Sequence, residues 1–80
     1  MKNIPSITIE TEDYSYISKM NNHSIVHVFL SYERNNRRNS LPDNTTYNSY
    51  IVRHYPNRIV ICLIREAEVI YNVIFVPAEN

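Results

Sequence analysis

Arginine and tyrosine side chains that could bind an anionic partner are concentrated in the middle of this chain. Residues 34–65 contain all six arginines and a single acidic residue. Arginine offers paired N–H donors that match phosphate or carboxylate oxygens, and tyrosine has a flat ring that stacks on bases or packs in protein interfaces. The sequence therefore predicts a partner-binding surface formed by Arg34, Arg37, Arg38, Tyr47, Tyr50, Arg53, Tyr55 and Arg58.

The overall charge favours a protein over a nucleic acid as the partner. The chain has a formal net charge of zero, and more acidic than basic residues lie on each side of the arginine block. Nucleic-acid-binding domains are usually basic overall, whereas tyrosine and arginine are enriched at the hot spots of protein interfaces. We expect a homodimer or a host protein as the partner, and a nucleic-acid-binding module is the alternative.

Catalytic and cofactor-binding motifs are missing from the sequence. The chain contains no glycine, which excludes a glycine-rich phosphate loop. Structural zinc needs about four ligands, and the single Cys62 with three scattered histidines gives no recognisable set, so we expect no metal and no cofactor. His54, between Arg53 and Tyr55, is a candidate general base for phosphodiester cleavage, although a strand histidine needs no catalytic role. We expect a protein that is not an enzyme.

The sequence also predicts where the protein works. Its first residues contain no apolar stretch typical of a signal peptide, and no run approaches the roughly 20 apolar residues of a membrane span. We expect a cytoplasmic protein without a membrane partner.

Three consecutive strands are predicted in the second half of the chain. They cover residues 47–55, 59–64 and 69–76, and the last two are apolar at almost every position. Because successive side chains on a strand point to opposite faces, such strands need cover on both sides. With two-residue turns between them, Val52 pairs with Ile61, Ile61 with Asn72, and Arg65 with Glu68.

The N-terminal half completes the predicted fold. We expect a strand at residues 4–9, a short helix within 11–22, a second strand at 24–32 and a mobile polar loop at about 34–46. The result is one α+β domain, residues 1–80, with a mostly antiparallel sheet of about five strands in the order β-α-β-β-β-β. If residues 12–20 are extended, an all-β sandwich or barrel is the alternative. One short helix covers part of one sheet face, so a partner surface is expected on the rest.

One short segment resembles a known family. Residues 50–61, Tyr-Ile-Val-Arg-His-Tyr-Pro-Asn-Arg-Ile-Val-Ile, are similar to the strand pair in the C-terminal half of RelE-type ribosome-dependent ribonuclease toxins. The chain departs from that family in its zero net charge, its C-terminal end without basic residues, and its lack of a predicted long N-terminal helical hairpin. The resemblance implies a small ribonuclease toxin as a second alternative.

These observations predict a small non-enzymatic protein-binding module, an inhibitor or modulator of a host macromolecule. Its glycine-free composition, rich in asparagine and isoleucine, is typical of a phage or mobile-element accessory protein.

Overall fold

A computed structural model describes residues 4–35 and 46–78. Within them the strands are β1 (Ser6–Thr11), β2 (Ser49–Tyr55), β3 (Arg58–Arg65) and β4 (Glu68–Pro77), and the helices are α1 (Tyr14–Ile17) and α2 (Asn22–Asn35). The sheet order is β1-β4-β3-β2, with β1 parallel to β4 and the other neighbours antiparallel. The prediction of a small, mixed α+β domain rich in sheet is therefore confirmed.

The predicted second strand is wrong, because residues 24–32 lie inside helix α2. Asn21 caps this helix: the Ser24 backbone N–H donates a 2.8 Å hydrogen bond to Asn21 Oδ1. Ile25, Val26 and Phe29 are buried, which is the spacing of one helix face. The described residues thus form four strands in the order β-α-α-β-β-β, and the open strand order does not match the barrel alternative.

The predicted N-terminal helix is much shorter than residues 11–22. Thr11 is the last residue of β1, and its Oγ1 accepts a 3.1 Å hydrogen bond from the Asp13 backbone N–H, so the chain turns before α1. After Ile17 the Lys19 N–H bonds to the Tyr16 carbonyl, which ends the helix in a tighter turn. Of the predicted loop at 34–46, residues 34–35 belong to α2 and 36–45 lie outside the described residues.

Strands β2, β3 and β4 follow one another as two hairpins. Val52 pairs with Ile61 and Arg65 pairs with Glu68, as predicted. The turn between β3 and β4 has positive φ at both central residues, Glu66 at 52° and Ala67 at 66°. This geometry is that of a type I′ turn, whose twist matches that of the flanking strands.

A register shift at Leu63 and Ile64 corrects one predicted pairing. Ile61 pairs with Val73 and not with Asn72, because the irregularity adds one residue on the β4 side. As a one-residue slip moves side chains to the other face, the faces predicted for β4 are exchanged from Tyr71 onward, whereas Val69 still pairs with Ile64. Val73 thus lies on the same face as Ile61, and Asn72 lies on the opposite face.

The two faces of the sheet have different surroundings. Both helices pack on one face, where they form the core with the strands; its buried residues are Ile9, Ile17, Ile25, Val26, Phe29, Ile59, Ile61, Leu63, Tyr71, Val73 and Phe75. We call the opposite side the open face, and its side chains follow from the strand registers: Ser6, Thr8, Glu10, Ser49, Ile51, Arg53, Tyr55, Arg58, Val60, Cys62, Ile64, Val69, Asn72, Ile74 and Val76. Among the described elements, neither helix covers the open face.

Candidate protein-binding face

Strand pairing arranges the open face in rows that run across the sheet. Paired residues on adjacent strands have side chains on the same side, about 4.5–5.5 Å apart at Cβ. Two complete rows can be read from the registers. They are Thr8–Ile74–Val60–Arg53 and Ser6–Asn72–Cys62–Ile51. The first has Ile74 and Val60 at its centre, and the second has Asn72 beside Cys62.

The centre of the open face is mostly apolar, and its two β3 residues are already buried. Val60 is 8% exposed and Cys62 is 6% exposed, whereas Ile64 and Ile74 are partly exposed. Ile51, on the edge strand β2, is 45% exposed. A partner placed on top of these rows would remove further apolar surface from water, which is the main favourable term in protein association.

Positive charge is concentrated at the β2 side of the open face. The Arg58 guanidinium lies 4.4 Å from the centroid of the Tyr55 ring, a cation–π contact across the β2–β3 hairpin. Arg53 is exposed on the same face two residues before Tyr55. At the other edge of the sheet, β1 places the exposed carboxylate of Glu10 on this face. The open face therefore has a basic side and an acidic edge.

Asn72 is a polar residue within the apolar part of the open face. Its Oδ1 atom is buried and has no hydrogen-bond partner among the described residues. A buried acceptor without a partner costs about 1–3 kcal/mol, because it has lost water and gained nothing. Asn72 is therefore a position at which the fold gives up stability.

Three of the predicted binding residues lie together on the open face: Arg53, Tyr55 and Arg58. The residues that complete this surface, Ile51 and Asn72 above all, were not predicted. The signal that could have found them is the apolar pattern at both strand parities, which requires a second covered face.

The other predicted binding residues lie elsewhere or cannot be placed. Tyr47 and Tyr50 are partly buried and pack against the core on the helix side. Arg34 is in the last turn of α2, while Arg37 and Arg38 lie outside the described residues.

Tyr47 has a shifted pKa that agrees with its packing. Burial raises the pKa of the Tyr47 hydroxyl above its ordinary value of 10.0, and the Glu33 carboxylate and then Tyr50 raise it further. The cause is that an ionised phenolate would lose solvation and face a like charge. Tyr47 thus acts as a neutral packing residue at the end of α2.

His54 does not join Arg53 and Tyr55 in one site. It pairs with Ile59 on the helix side of the sheet, and its Nε2 lies 3.2 Å from Asn22 Oδ1 at the start of α2. Arg53 and Tyr55 point to the open face. The sheet therefore separates His54, the candidate general base, from Arg53 and Tyr55.

Comparisons with other proteins add no relative. No family model matches the chain, and the searches of curated proteins and of solved structures found no match. In the part of the chain that the structure describes, neither helix has the length and apolar character to cross a bilayer.

Proposed function

We propose that this chain is a small non-enzymatic protein-binding module that inhibits or modulates a partner by docking its open face onto that partner. The observation that supports the proposal is the contrast between the two sheet faces. One face is filled by α1 and α2, and the other carries apolar rows beside Arg53, Tyr55 and Arg58 with no described helix over them. An apolar centre beside tyrosine and arginine is the composition of a protein-interface hot spot.

The side chains of the open face define the chemistry of the partner. Ile51, with the partly exposed Ile64 and Ile74, requires an apolar patch. Arg53 and Arg58 require carboxylates on the side that meets β2. The proposed partner is therefore a protein with an apolar patch bordered by Asp or Glu.

The size of the open face fits the centre of an interface. Four strands about 4.8 Å apart, with about six residues each at 3.3 Å, give a face roughly 15 by 20 Å. This is less than half of the roughly 800 Å² per partner of a standard interface, although side-chain relief increases the accessible area. The apolar rows thus form the centre, and Arg53 and the Tyr55–Arg58 pair form part of the rim.

The test compares matched variants in binding to a partner captured from the cells that encode the chain. Ile51→Asp changes the open face, and Tyr16→Asp changes an exposed aromatic residue of α1 outside it. With the purified partner, we expect Ile51→Asp to weaken binding by about 30-fold or more, the effect of losing a hot spot. Arg53→Glu should slow association and reduce its salt dependence, and Tyr16→Asp should bind like the wild type.

Two results would contradict the proposal. The first is equal affinity of the wild type and Ile51→Asp for the captured partner. The second is a purified protein that forms a dimer at micromolar concentration, where Ile51→Asp gives a monomer. In that case the open face is the contact between two copies, and the homodimer replaces the foreign partner.

A further inference from the structure

Two histidines on α2 lie close together on the side of the molecule away from the open face. His23 and His27 are both exposed, and their Nε2 atoms are 3.1 Å apart. Their ring centroids are 4.5 Å apart with an angle of 74° between the ring planes. We propose that this pair binds a divalent transition-metal ion, such as Cu²⁺, Ni²⁺ or Zn²⁺, through the two Nε2 atoms.

The backbone holds the two imidazoles in position. Residues four apart on a helix are neighbours on its surface, and α2 is fixed at its start by the Asn21 cap. On its inner side α2 is anchored by Ile25, Val26 and Phe29, which are almost fully buried. A metal ion therefore meets a helix turn that is already ordered, and binding the second imidazole costs little further order.

The distance between the nitrogens matches chelation of one ion. Metal–imidazole bonds of about 2.0–2.1 Å with the observed 3.1 Å between Nε2 atoms give an angle at the metal of about 95–102°. That value lies between the 90° of square-planar or octahedral coordination and the 109° of tetrahedral coordination. In the metal-free protein the same two atoms share a hydrogen bond, in which one imidazole donates and the other accepts.

No further ligand for this ion is found in the part of the chain that the structure describes. No group of three or more His, Cys, Asp or Glu side chains suitable for a metal occurs among the described residues. His54 is held at Asn22 by its own Nε2 contact, so it is not a third ligand. Position 24 is a serine, so the pair lacks the adjacent glutamate that serves as general base in zinc peptidases with this histidine spacing. The site is therefore a binding site with exchangeable positions for water or for ligands from another molecule.

Imidazole and an open geometry favour ions late in the first transition series. Affinity for such sites rises from Ni²⁺ to Cu²⁺ and falls again at Zn²⁺. The second imidazole binds as an intramolecular event, which raises affinity by on the order of 10²-fold over one histidine. This proposal is independent of the docking role of the open face, since the two use opposite sides of the sheet.

The test is a titration of the untagged protein with Ni²⁺ and with Cu²⁺ by isothermal calorimetry. We expect one ion per chain for the wild type, and a loss of affinity on the order of 10²-fold in His23→Ala and in His27→Ala. His54→Ala is the matched control and should bind like the wild type. Far-ultraviolet circular dichroism confirms that each variant keeps its helix.

A transplanted pair separates a chelate from two independent histidines. Ser31 is exposed four residues after His27, so the double variant His23→Ala, Ser31→His creates a new pair at the same spacing. We expect it to recover the affinity that His23→Ala loses. Unchanged binding in His23→Ala or His27→Ala, an equal loss in His54→Ala, or no recovery in a folded double variant would each overturn the proposal.

Discussion

The contrast between the two sheet faces can be measured with one pair of substitutions, Ile61→Ala and Ile51→Ala. The two isoleucines lie on adjacent strands, β2 at the edge of the sheet and β3 inside it, and both changes remove the same atoms. Ile61 is 0% exposed in the core beneath the helices, whereas Ile51 is 45% exposed on the open face. The difference in cost therefore reports how much more cover Ile61 has than Ile51, which lies on the open face and on the edge strand.

The expected magnitudes follow from burial. Ile→Ala in a core costs about 2–5 kcal/mol, because a cavity is added to the lost transfer free energy. Full burial of isoleucine is worth about 1.5–3 kcal/mol. Since Ile51 keeps 45% of its surface exposed and encloses no cavity, we expect its truncation to cost about 1 kcal/mol. Ile61→Ala should thus lower the free energy of unfolding by about 2 kcal/mol more than Ile51→Ala does.

The assay is urea unfolding followed by circular dichroism. If Ile61→Ala is too unstable to fold, the pair Ile61→Val and Ile51→Val gives the same comparison, with about 0.5–1.5 kcal/mol expected for the buried position. Each pair is measured at two protein concentrations, so that self-association would be seen as a shift of the midpoint. Equal costs at Ile51 and Ile61 would refute the view that one face is open.

Three further predictions concern single features. Replacing Glu66-Ala67 by Asn-Gly should stabilise the protein by about 1 kcal/mol in urea unfolding, because the left-handed backbone of this turn is then free of strain; an unchanged midpoint would contradict it. Asn72→Leu should raise the free energy of unfolding by about 1 kcal/mol, since it removes a buried acceptor without a partner. A lower urea midpoint would mean that the Asn72 amide makes a stabilising hydrogen bond. The raised pKa of Tyr47 favours the protonated native state, so its contribution to stability is complete below pH 10.0 and is lost as pH rises through the folded pKa. Tyr47→Phe should therefore lose less stability than the wild type between about pH 9 and 12, and an equal loss in both proteins would argue against this role.

The sequence predicted the C-terminal meander because its signals are local. Alternation and turn residues gave β2, β3 and β4, and the pairing of Val52 with Ile61 depends only on a two-residue turn. The predicted pairing of Ile61 with Asn72 on β4 was wrong, because a register shift at Leu63 and Ile64 leaves no clear signal in an apolar sequence. With two apolar faces, hydrophobic pattern specifies register weakly.

Residues 24–32 show how strand preference can mislead. Their β-branched and aromatic residues favour a strand, but burial of Ile25 and Phe29 against the sheet decides for a helix. The polar residues His23, His27 and Ser31, spaced by four, and the cap at Asn21 were the signals of this helix.

The candidate site was predicted in part. Side chains alternate between the two faces along a strand, so Arg53 and Tyr55 lie on one face of β2 and Tyr50 lies on the other. The sequence alone is enough to predict this division. Which face the helices cover depends on tertiary packing, so the exposure of Ile51 could not be derived from the sequence.

The central claim, that the open face is accessible to a partner, is tested most directly by solvent paramagnetic relaxation of isoleucine methyl groups. A soluble gadolinium chelate broadens methyl signals in proportion to their accessibility. We predict strong broadening for Ile51 and measurable broadening for Ile64 and Ile74, with Ile59 and Ile61 protected beneath the helices. If the methyl groups of both faces are equally protected in the purified protein, the open face is already covered and the claim is wrong.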